Sequence, residues 1–442
     1  MRTKRTFQIQ HAPRFKAQLL EWSARYQEVV WLDGNGIPDR YSSYDAVLAT
    51  EAFTAIKTDE DSGFDKLEEY QQTTGDWIFG YLSYDLKNDT ENLFSKNRDG
   101  LEFPALYFFQ PVRLILIRGN TAEFHYLRMV EEEMEEDFSQ IKSISTEGDP
   151  LCENKKNGRD HNFEMIPALS KKEYLERVQE MLTHIRRGDI YEANFCQEFY
   201  AHGKPIRPLQ VYKALNAISQ APFAVFLKLE VYHLLCASPE RYLKKKGSQL
   251  VSQPIKGTAP RAMDSLEDAR LMEELGADPK ERAENVMIVD LVRNDLSRTA
   301  KKGSVQVEEL CGIYSFRQVH QMISTITCLL QEDKRVVDAL RYTFPMGSMT
   351  GAPKIEAMKI IEKLEKSKRG LYSGAVGYFD PSGDFDFNVV IRSILYNSAN
   401  QYISFSVGSA ITAASNPEKE YQECLVKARA MKQVLEEEFG AG

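Results

Sequence analysis

Four strand-like runs follow one another in the middle of the sequence: IYEANFCQEFYA, APFAVFLKLE, YHLLCASPERYLKKK and SQLVSQPI. Parallel strands need crossover connections of a dozen or more residues, whereas antiparallel strands are joined by short turns. Because strand runs in this sequence often follow one another directly, they favour an antiparallel or mixed sheet over regular βαβ winding. With 442 residues the chain can bury a large core, as one large unit or as two or three average domains.

Three regions can be distinguished along the chain. Residues 1–130 have a mixed α/β pattern, with strand runs VVWLDGNG and DWIFGYLSYDL and a hairpin around Gly119 and Asn120. Residues 131–167 carry an acidic run followed by Lys, Asn and Gly with few apolar residues. They are interpreted as a surface connection, or equally as a loop within one domain. Residues 168–434 form a second α/β region.

This second region opens with a helix signal. Ser170 is the candidate N-cap and Glu173 stands three residues later, which together form a capping box. Apolar residues follow at helical spacing from Leu175 to Ile185, and Gly188 ends the run.

Composition narrows the classes of partner. The net charge of −9 gives no support to nucleic-acid binding, for which a basic stripe is expected. An anionic substrate would therefore need local positive charge, or a metal, inside the site. The most apolar stretch, ALYFFQPVRLILI, is interrupted by Gln110 and Arg113 and is too short to span a bilayer. The N-terminus lacks the apolar segment of a signal peptide.

The six cysteines are widely spaced and form no CxxC pair. This pattern predicts buried thiols in a reducing compartment rather than disulfides or a zinc site. We therefore expect a soluble, cytoplasmic protein with no nucleic-acid and no membrane partner.

The segment SQPIKGTAPR presents a single lysine, Lys256, between Pro254-Ile255 and Gly257-Thr258. Proline fixes φ, and glycine permits conformations that other residues avoid. From local sequence alone, a solvated turn lysine and a lysine held in a pocket as a nucleophile or charge clamp both remain open.

Two helical segments carry acidic residues. RAENVMIVDLVRNDLSR contains Glu284, and the C-terminal helix, with Asn416 as N-cap, contains Glu423 and Lys427. Solvated or salt-bridged side chains, including a Glu423–Lys427 pair at i, i+4, are one interpretation. If the two helices pack together, Glu284 and Glu423 could instead supply an all-oxygen site of the kind that Mg²⁺ accepts.

Two further segments suggest anion binding. Arg392 is expected within the apolar strand VVIRSIL, where its partner would be either a substrate carboxylate or a structural ion pair. GSMTGAPK lacks the arrangement of a P-loop and offers a small-residue turn that enters a helix, with exposed amides at its terminus.

Seven blocks, in order, resemble the signature blocks of the chorismate-utilising enzymes: SPERY, PIKGT, RAENVMIVDLVRND, GSMTGAPK, YSGAVGYF, VVIRS and YQECLVKARAM. The strong blocks cover about residues 170–432, and FGYLSYDL extends a weaker resemblance towards the N-terminus. The resemblance implies one large α/β unit of the α+β type, with antiparallel sheets stacked between helix layers. Residues 168–434 would then be the chorismate-binding catalytic region.

The residue after Pro-Ile separates branches of this family. Alanine is typical of anthranilate synthases, and the lysine present here, Lys256, is typical of the aminodeoxychorismate synthase branch. The resemblance implies that chorismate and ammonia give 4-amino-4-deoxychorismate through a covalent lysine adduct, an amino transfer that leads towards p-aminobenzoate and folate. Such a lysine must be neutral to attack, so we expect desolvation or a cationic neighbour to depress its pKa.

The resemblance also assigns roles to the other matching residues. Glu240 would be the general acid, and Glu284 and Glu423 would bind Mg²⁺. Tyr372 and Arg392 would contact the enolpyruvyl carboxylate. The remaining positions expected to face the substrate are Thr258, Ser348, Gly408, Lys427 and His320.

Some positions depart from the family pattern. Glu192 stands where members that transfer an amino group have glutamine and members that add water have lysine, and Ala410 stands in a loop that is usually richer in glycine. None of the six cysteines has the G-x-C-x-G context of a class I amidotransferase, so a separate glutamine amidotransferase subunit, or free ammonia, is expected to supply the nitrogen. Anthranilate synthase component I, isochorismate synthase and a non-catalytic homologue are the alternatives.

Overall fold

The computed structural model describes residues 2–145 and 163–439. Its strands are β1 (Arg2–Gln8), β2 (Glu28–Asp33), β3 (Ala46–Thr58), β4 (Ile78–Leu82), β5 (Leu106–Arg118), β6 (Thr121–Leu127), β7 (Ile166–Pro167), β8 (Glu192–His202), β9 (Phe223–Leu229), β10 (Tyr232–Ser238), β11 (Arg241–Lys246), β12 (Gln249–Gln253), β13 (Ile255–Pro260), β14 (Gln306–Ser315), β15 (Val319–Leu329), β16 (Gly351–Ala352), β17 (Ala375–Phe379), β18 (Phe385–Asn388), β19 (Ser393–Asn397) and β20 (Tyr402–Thr412).

Helices lie between and around these strands. They are α1 (Ala12–Ser23), α2 (Gly63–Thr74), α3 (Lys87–Thr90), α4 (Met134–Ser143), α5 (Lys171–Arg187), α6 (Pro208–Ser219), α7 (Ser265–Ala277), α8 (Pro279–Ser297), α9 (Val336–Thr343), α10 (Lys354–Leu364) and α11 (Pro417–Phe439). Short 3₁₀ turns occur at Tyr84–Leu86, Arg128–Glu133 and Gly347–Met349.

The strands form two arms that meet at β5. One edge of β5 pairs with β3, and the other edge pairs first with β4 and then with β6. The first arm continues from β3 through β2, β9, β10, β19 and β20 to β8. The second arm runs from β4 through β17, β18, β11 and β12 to β15, which also pairs with β13 and β14. Every ladder between these strands is antiparallel.

Alternating side chains of the first arm enter two different cores. Val30 and Leu234 face the second arm, whereas Val29 and Leu235 face a helix layer to which α1, α5, α6, α10 and α11 contribute. This is the two-residue period of a strand that is buried on both faces. On the far side, α2, α8 and α9 add apolar residues to the core between the arms. The predicted class, α+β with stacked antiparallel sheets between helix layers, is confirmed.

Local predictions are confirmed at several elements. Gly119 and Asn120 form the turn between β5 and β6. The capping box at the start of α5 is present, with Ser170 accepting from the Glu173 amide and Glu173 accepting from the Ser170 amide, and Gly188 caps the end of the helix at φ 82°. The five cysteines in the described part of the chain are free and buried.

One local prediction is wrong. Arg392 does not lie within a continuous strand, because β18 ends at Asn388 and β19 begins at Ser393. The residue adopts a left-handed conformation with φ 52°, so the backbone turns at this point instead of continuing the ladder.

The predicted connection at 131–167 lies partly outside the described residues, and its described part includes helix α4. Strands from both sides of this segment pair with each other, as in the ladders β2–β9 and β4–β17. Among the described residues, no helix is long and apolar enough to cross a membrane.

Candidate active site

A cavity of about 470 Å³ lies where β8, β13 and β20 meet helices α8 and α11. It gathers residues from segments that are far apart in the sequence. All but one of the residues predicted for the site line it: Glu240, Lys256, Thr258, Glu284, Ser348, Tyr372, Arg392, Gly408, Glu423 and Lys427. The exception is His320.

Lys256 is presented by an irregularity in strand β13. Ile255 pairs with Ile323 and Thr258 pairs with Gln321, so Lys256 and Gly257 together stand opposite a single residue of β15. This is the geometry of a β-bulge, which redirects a side chain locally. Gly257 has φ 94°, a conformation that residues with a side chain rarely adopt. This explains why a glycine follows Lys256 in the sequence.

The Lys256 ammonium group is paired inside the cavity. Its Nζ donates to Oε1 of Glu192 at 2.7 Å, and both side chains are largely withdrawn from solvent. Burial alone would lower the pKa of Lys256, but the carboxylate of Glu192, helped by Glu284 and Glu240, outweighs it and raises the pKa. The prediction of a depressed lysine pKa is therefore wrong, because the neighbours are anions rather than cations.

Glu240 lies in the short connection between β10 and β11. Its backbone amide donates to Ser238 Oγ, and its carbonyl oxygen accepts from the Val389 amide. The carboxyl group is buried, and burial raises its pKa to about 7, although a hydrogen bond from Ser348 Oγ (2.6 Å) and the charge of Lys256 oppose the shift. A carboxyl group with this pKa is protonated in a large fraction of molecules at neutral pH, as a general acid must be.

Helices α8 and α11 each bring two carboxylates to the cavity, three residues apart: Glu281 and Glu284, and Glu420 and Glu423. Lys280 lies among them, and all four carboxylates raise the pKa of its ammonium group against the effect of burial. Burial raises the pKa of Glu284 to about 7. In Glu423, burial is outweighed by Lys427, whose Nζ lies 2.6 Å from Oε1, and the pKa is lowered.

These carboxylates suit a hard cation in chemistry. Oε1 of Glu284 is buried without a hydrogen-bond partner, although Lys280 Nζ lies 3.6 Å away, so a ligand oxygen is available. Among the described residues, no group of three or more acidic, histidine or cysteine side chains is close enough to hold a metal alone. A bound Mg²⁺ would thus need oxygens from water or substrate besides protein carboxylates, which is how Mg²⁺ is usually bound.

Arg392 and Tyr372 form a second polar part of the cavity wall. Tyr372 is buried, and its hydroxyl accepts a long hydrogen bond from Cys196 Sγ (3.8 Å). Within the described ranges, no carboxylate pairs with the Arg392 guanidinium, and burial lowers its pKa despite the opposing effects of the Tyr372 hydroxyl and the Glu423 carboxylate. The structural ion pair considered for Arg392 is therefore not found, and the guanidinium is free to receive an anion from the cavity.

Three other predicted residues complete the wall. Lys427 Nζ donates to the carbonyl oxygen of Gly408 (2.9 Å), which ties α11 to β20. A Cβ atom on Gly408 would lie 2.5 Å from Cys196 Sγ, so the close packing of β20 on β8 requires glycine. Thr258 is exposed on the cavity side of β13.

His320 is engaged elsewhere. Its Nδ1 is 2.7 Å from Ser315 Oγ and its Nε2 is 3.0 Å from Asp268 Oδ1, and the ring is almost completely buried. These contacts join β15 to β14 and α7, and the structure does not bring the ring into the cavity.

Several cavity residues were not predicted: Asn194, Lys280, Glu281, Gln321 and Glu420. The i, i+3 spacing of Glu281 with Glu284, and of Glu420 with Glu423, was a signal that could have found two of them. Asn194 and Gln321 lie on strands β8 and β15, where their neighbours in the sequence give no indication of a site.

Comparison with known proteins agrees with this arrangement. The profile of a family described as chorismate binding enzyme matches residues 28–433. Anthranilate synthase component 1 of Thermus thermophilus is 35% identical over 81% of this chain and 77% of that protein. Aminodeoxychorismate synthase component 1 of Escherichia coli is 40% identical over 61% of this chain and 58% of that protein.

A solved structure gives the same result at the level of the fold. Anthranilate synthase component I of Streptococcus pneumoniae superposes with a TM-score of 0.74 at 27% sequence identity, over 90% of this chain and 93% of that one.

Proposed function

The chain belongs to the chorismate binding enzyme family, and from this premise we propose that it converts chorismate and ammonia to 4-amino-4-deoxychorismate. One observation carries the choice among family reactions. Lys256, the position that separates the branches, projects into the same cavity as a buried carboxyl group with a pKa of about 7, that of Glu240. A nucleophile and an acid are the two groups that the reaction needs.

In the proposed first step, the neutral amine of Lys256 attacks C2 of chorismate. The double bond shifts, and the C4 hydroxyl leaves as water after it takes the proton of Glu240. The enzyme then holds a secondary ammonium adduct, and Glu240 is a carboxylate. Proton donation by a positioned carboxylic acid typically accelerates such a step by about 10²- to 10⁴-fold.

In the second step, ammonia attacks C4 and the Lys256 amine leaves from C2. The positive charge moves from the lysine nitrogen to the new C4 ammonium, and Glu240 regains a proton from solvent. We propose that a glutamine amidotransferase subunit delivers the ammonia, which the name component 1 of the Escherichia coli relative supports. The product would serve the synthesis of p-aminobenzoate and folate.

The substrate is a dianion, and the cavity wall provides cations for it. Arg392, which has no carboxylate partner among the described residues, would bind the enolpyruvyl carboxylate beside Tyr372. Glu284 and Glu423 would hold Mg²⁺, which when bound neutralises the charge of the ring carboxylate. Lys427 holds Glu423 and the Gly408 carbonyl in place.

The test is incubation of the protein with chorismate, Mg²⁺ and ammonium, followed by chromatography of the products. We expect 4-amino-4-deoxychorismate without release of pyruvate. Intact-protein mass spectrometry without ammonium should show an adduct that maps to Lys256 and is absent in Lys256→Ala. The activity of Lys256→Ala should fall by several orders of magnitude, as in other enzymes that lose their nucleophile.

Other products would replace the proposal. Anthranilate with pyruvate would assign the chain to the activity named for the Thermus thermophilus relative, and isochorismate would indicate addition of water. Undiminished turnover by Lys256→Ala would overturn the covalent role.

A further inference from the structure

Glu192 is a buried acid that the proposed reaction has not yet used. It is the first residue of β8, between β16 and β20, where it pairs with Ala352 on one side and Thr412 on the other. Only 1% of its side chain is exposed. Its Oε1 accepts from Lys256 Nζ, and its Oε2 is buried without a hydrogen-bond partner.

The contact joins residues that are 64 positions apart in the sequence, and both are held by paired strands. No other carboxylate in the described part of the chain lies within ion-pair distance of Lys256 Nζ. The other charged groups that face Lys256 are Glu240, Glu284 and, more weakly, Glu281 and Glu423. Glu240 must keep its own proton for the leaving hydroxyl, so it does not serve as the acceptor.

The chemistry of the nucleophile gives this contact a function. An ammonium group has no lone pair and cannot attack carbon, and Lys256 has little solvent to which it could release a proton. A base within hydrogen-bond reach is what activates such a nucleophile. At 2.7 Å, Glu192 is the group that meets this condition.

We propose that Glu192 is the catalytic base that removes the proton from Lys256 Nζ, a role that rests on the proposed function. The proton passes along the hydrogen bond to Glu192 Oε1, which leaves a neutral amine with its electron pair free for C2 of chorismate. After ammonia has expelled the lysine as a neutral amine, the proton returns from Glu192 to Lys256. The pair therefore carries the same proton at the start and at the end of each turnover.

Entry of the substrate drives the transfer. Of the Lys256 side chain 11% is exposed, and a substrate that fills the cavity would remove this remaining contact with solvent. Desolvation penalises an ammonium and a carboxylate together, and it leaves a neutral amine and a neutral acid almost unaffected. The resting ion pair thus keeps Lys256 protonated and unreactive until the substrate is bound.

An amide has no basic site comparable in strength to a carboxylate. Glu192→Gln is therefore the discriminating variant, because it retains the size and the hydrogen-bond acceptor but cannot take the proton. Glu198→Gln is the matched control, since Glu198 is a buried acid on the same strand that bonds Tyr402 rather than a cavity residue.

The experiment measures the rate of the Lys256 adduct after rapid mixing of the whole enzyme with chorismate and Mg²⁺, without ammonium, from pH 6 to 9. For Glu192→Gln we expect a rate about 100-fold below wild type at pH 7. The ratio of variant to wild-type rate should rise with pH as hydroxide replaces the missing base, and use of this ratio cancels the titration of Glu240. Glu198→Gln should keep the wild-type profile.

A second variant tests the chemistry directly. Glu192→Ala leaves room for a small carboxylate, and formate should restore adduct formation where chloride at equal ionic strength does not. Wild-type adduct rates in Glu192→Gln at pH 7, or a deficit that is constant with pH and unaffected by formate, would overturn the role of Glu192 alone. If the wild-type enzyme forms no adduct, the proposed function fails, and with it this inference.

Discussion

Glu240 and Arg241 are neighbours in the sequence and both are buried, but the protein provides partners for the charge of only one of them, Arg241. Glu240 faces the cavity, and burial raises its pKa to about 7 because one hydroxyl and a lysine charge are insufficient compensation. Arg241 faces the other way, into a closed network. Its guanidinium donates to Asp386 (2.9 Å), to Asp39 (2.6 Å) and to Gln253 (2.6 Å).

The network satisfies its members. Burial would raise the pKa of Asp386, but Arg241 and Lys244 outweigh it and the pKa is lowered. Burial by itself therefore does not distinguish a catalytic from a structural charge. The distinction is whether the protein itself supplies ion-pair and hydrogen-bond partners for the buried charge. In the cavity it supplies only some of them, and the remaining partners would come from the substrate.

Among the effects that follow from this comparison, the largest is expected on the cavity side. Glu240→Gln retains the shape of the side chain but cannot donate the proton to the leaving hydroxyl. We expect the rate of amination to fall about 10³-fold at pH 7, within the usual range for a general acid. The measurement is steady-state product formation by chromatography, and a loss below tenfold would remove Glu240 from this role.

A substitution in the Arg241 network should instead lower the stability of the fold. Arg241→Met leaves the carboxylates of Asp386 and Asp39 buried with fewer partners, and we expect the free energy of unfolding to fall by about 3–5 kcal/mol. Urea denaturation followed by circular dichroism measures it. The control is Arg293→Met, which removes an exposed pair with Asp290 and should cost less than about 1 kcal/mol. Equal effects of the two substitutions would contradict the contrast.

Substitution of Glu240 should have the opposite effect and increase the free energy of unfolding. Its pKa rises from 4.5 when the chain is unfolded to about 7 in the fold, which corresponds to about 3 kcal/mol. Below pH 4.5 the group is protonated in both states, so it costs nothing. Between pH 4.5 and 7 the unfolded chain ionises at this position while the folded protein keeps the group protonated, so stability is lost across this interval and the loss is complete above about pH 7. Glu240→Gln should therefore be more stable than wild type by up to about 3 kcal/mol at pH 8 and by little at pH 4.5.

Thermal or urea unfolding of both proteins across this pH range is the measurement. The difference between them isolates Glu240 from other buried acids such as Glu284, whose pKa is also raised. If the difference in free energy of unfolding between the two proteins does not change with pH, folding does not raise the pKa of Glu240.

The smallest effect concerns the hydroxyl of Ser348, which donates to Glu240 and favours its ionised form. Ser348→Ala should raise the pKa of Glu240 further, by at most about one unit. Since the acid works when protonated, the fall in rate at alkaline pH should move upward by the same amount. The pH–rate profile measures this shift, and Ser297→Ala on the exposed end of α8 should leave the profile in place.

Local sequence predicted the local features of this molecule. The capping box at Ser170 and the hairpin at Gly119 depend on interactions within a few residues, which the sequence displays directly. The site residues came from the resemblance of motifs, and all of them except His320 line one cavity. Their roles and the Mg²⁺ site stay predictions.

Features that depend on distant pairing were not visible. The contact of Glu192 with Lys256 exists because β8 and β13 are brought together by other strands, and no local pattern encodes that distance. The predicted direction of the Lys256 pKa shift was wrong for the same reason. The apolar run around Arg392 has the composition of a strand, but tertiary packing ends one ladder before it and begins another after it.

The adjacency of Glu240 and Arg241 also bears on how β11 finds its partners. A slip of one residue would turn the guanidinium into the cavity and place the Glu240 carboxylate against Asp386 and Asp39, so that three anions would share a buried space. Charge thus adds a penalty to the ordinary loss of apolar contacts in a misaligned strand. The two charges therefore favour the native register of β11, and this register also places the Glu240 carboxyl group in the cavity.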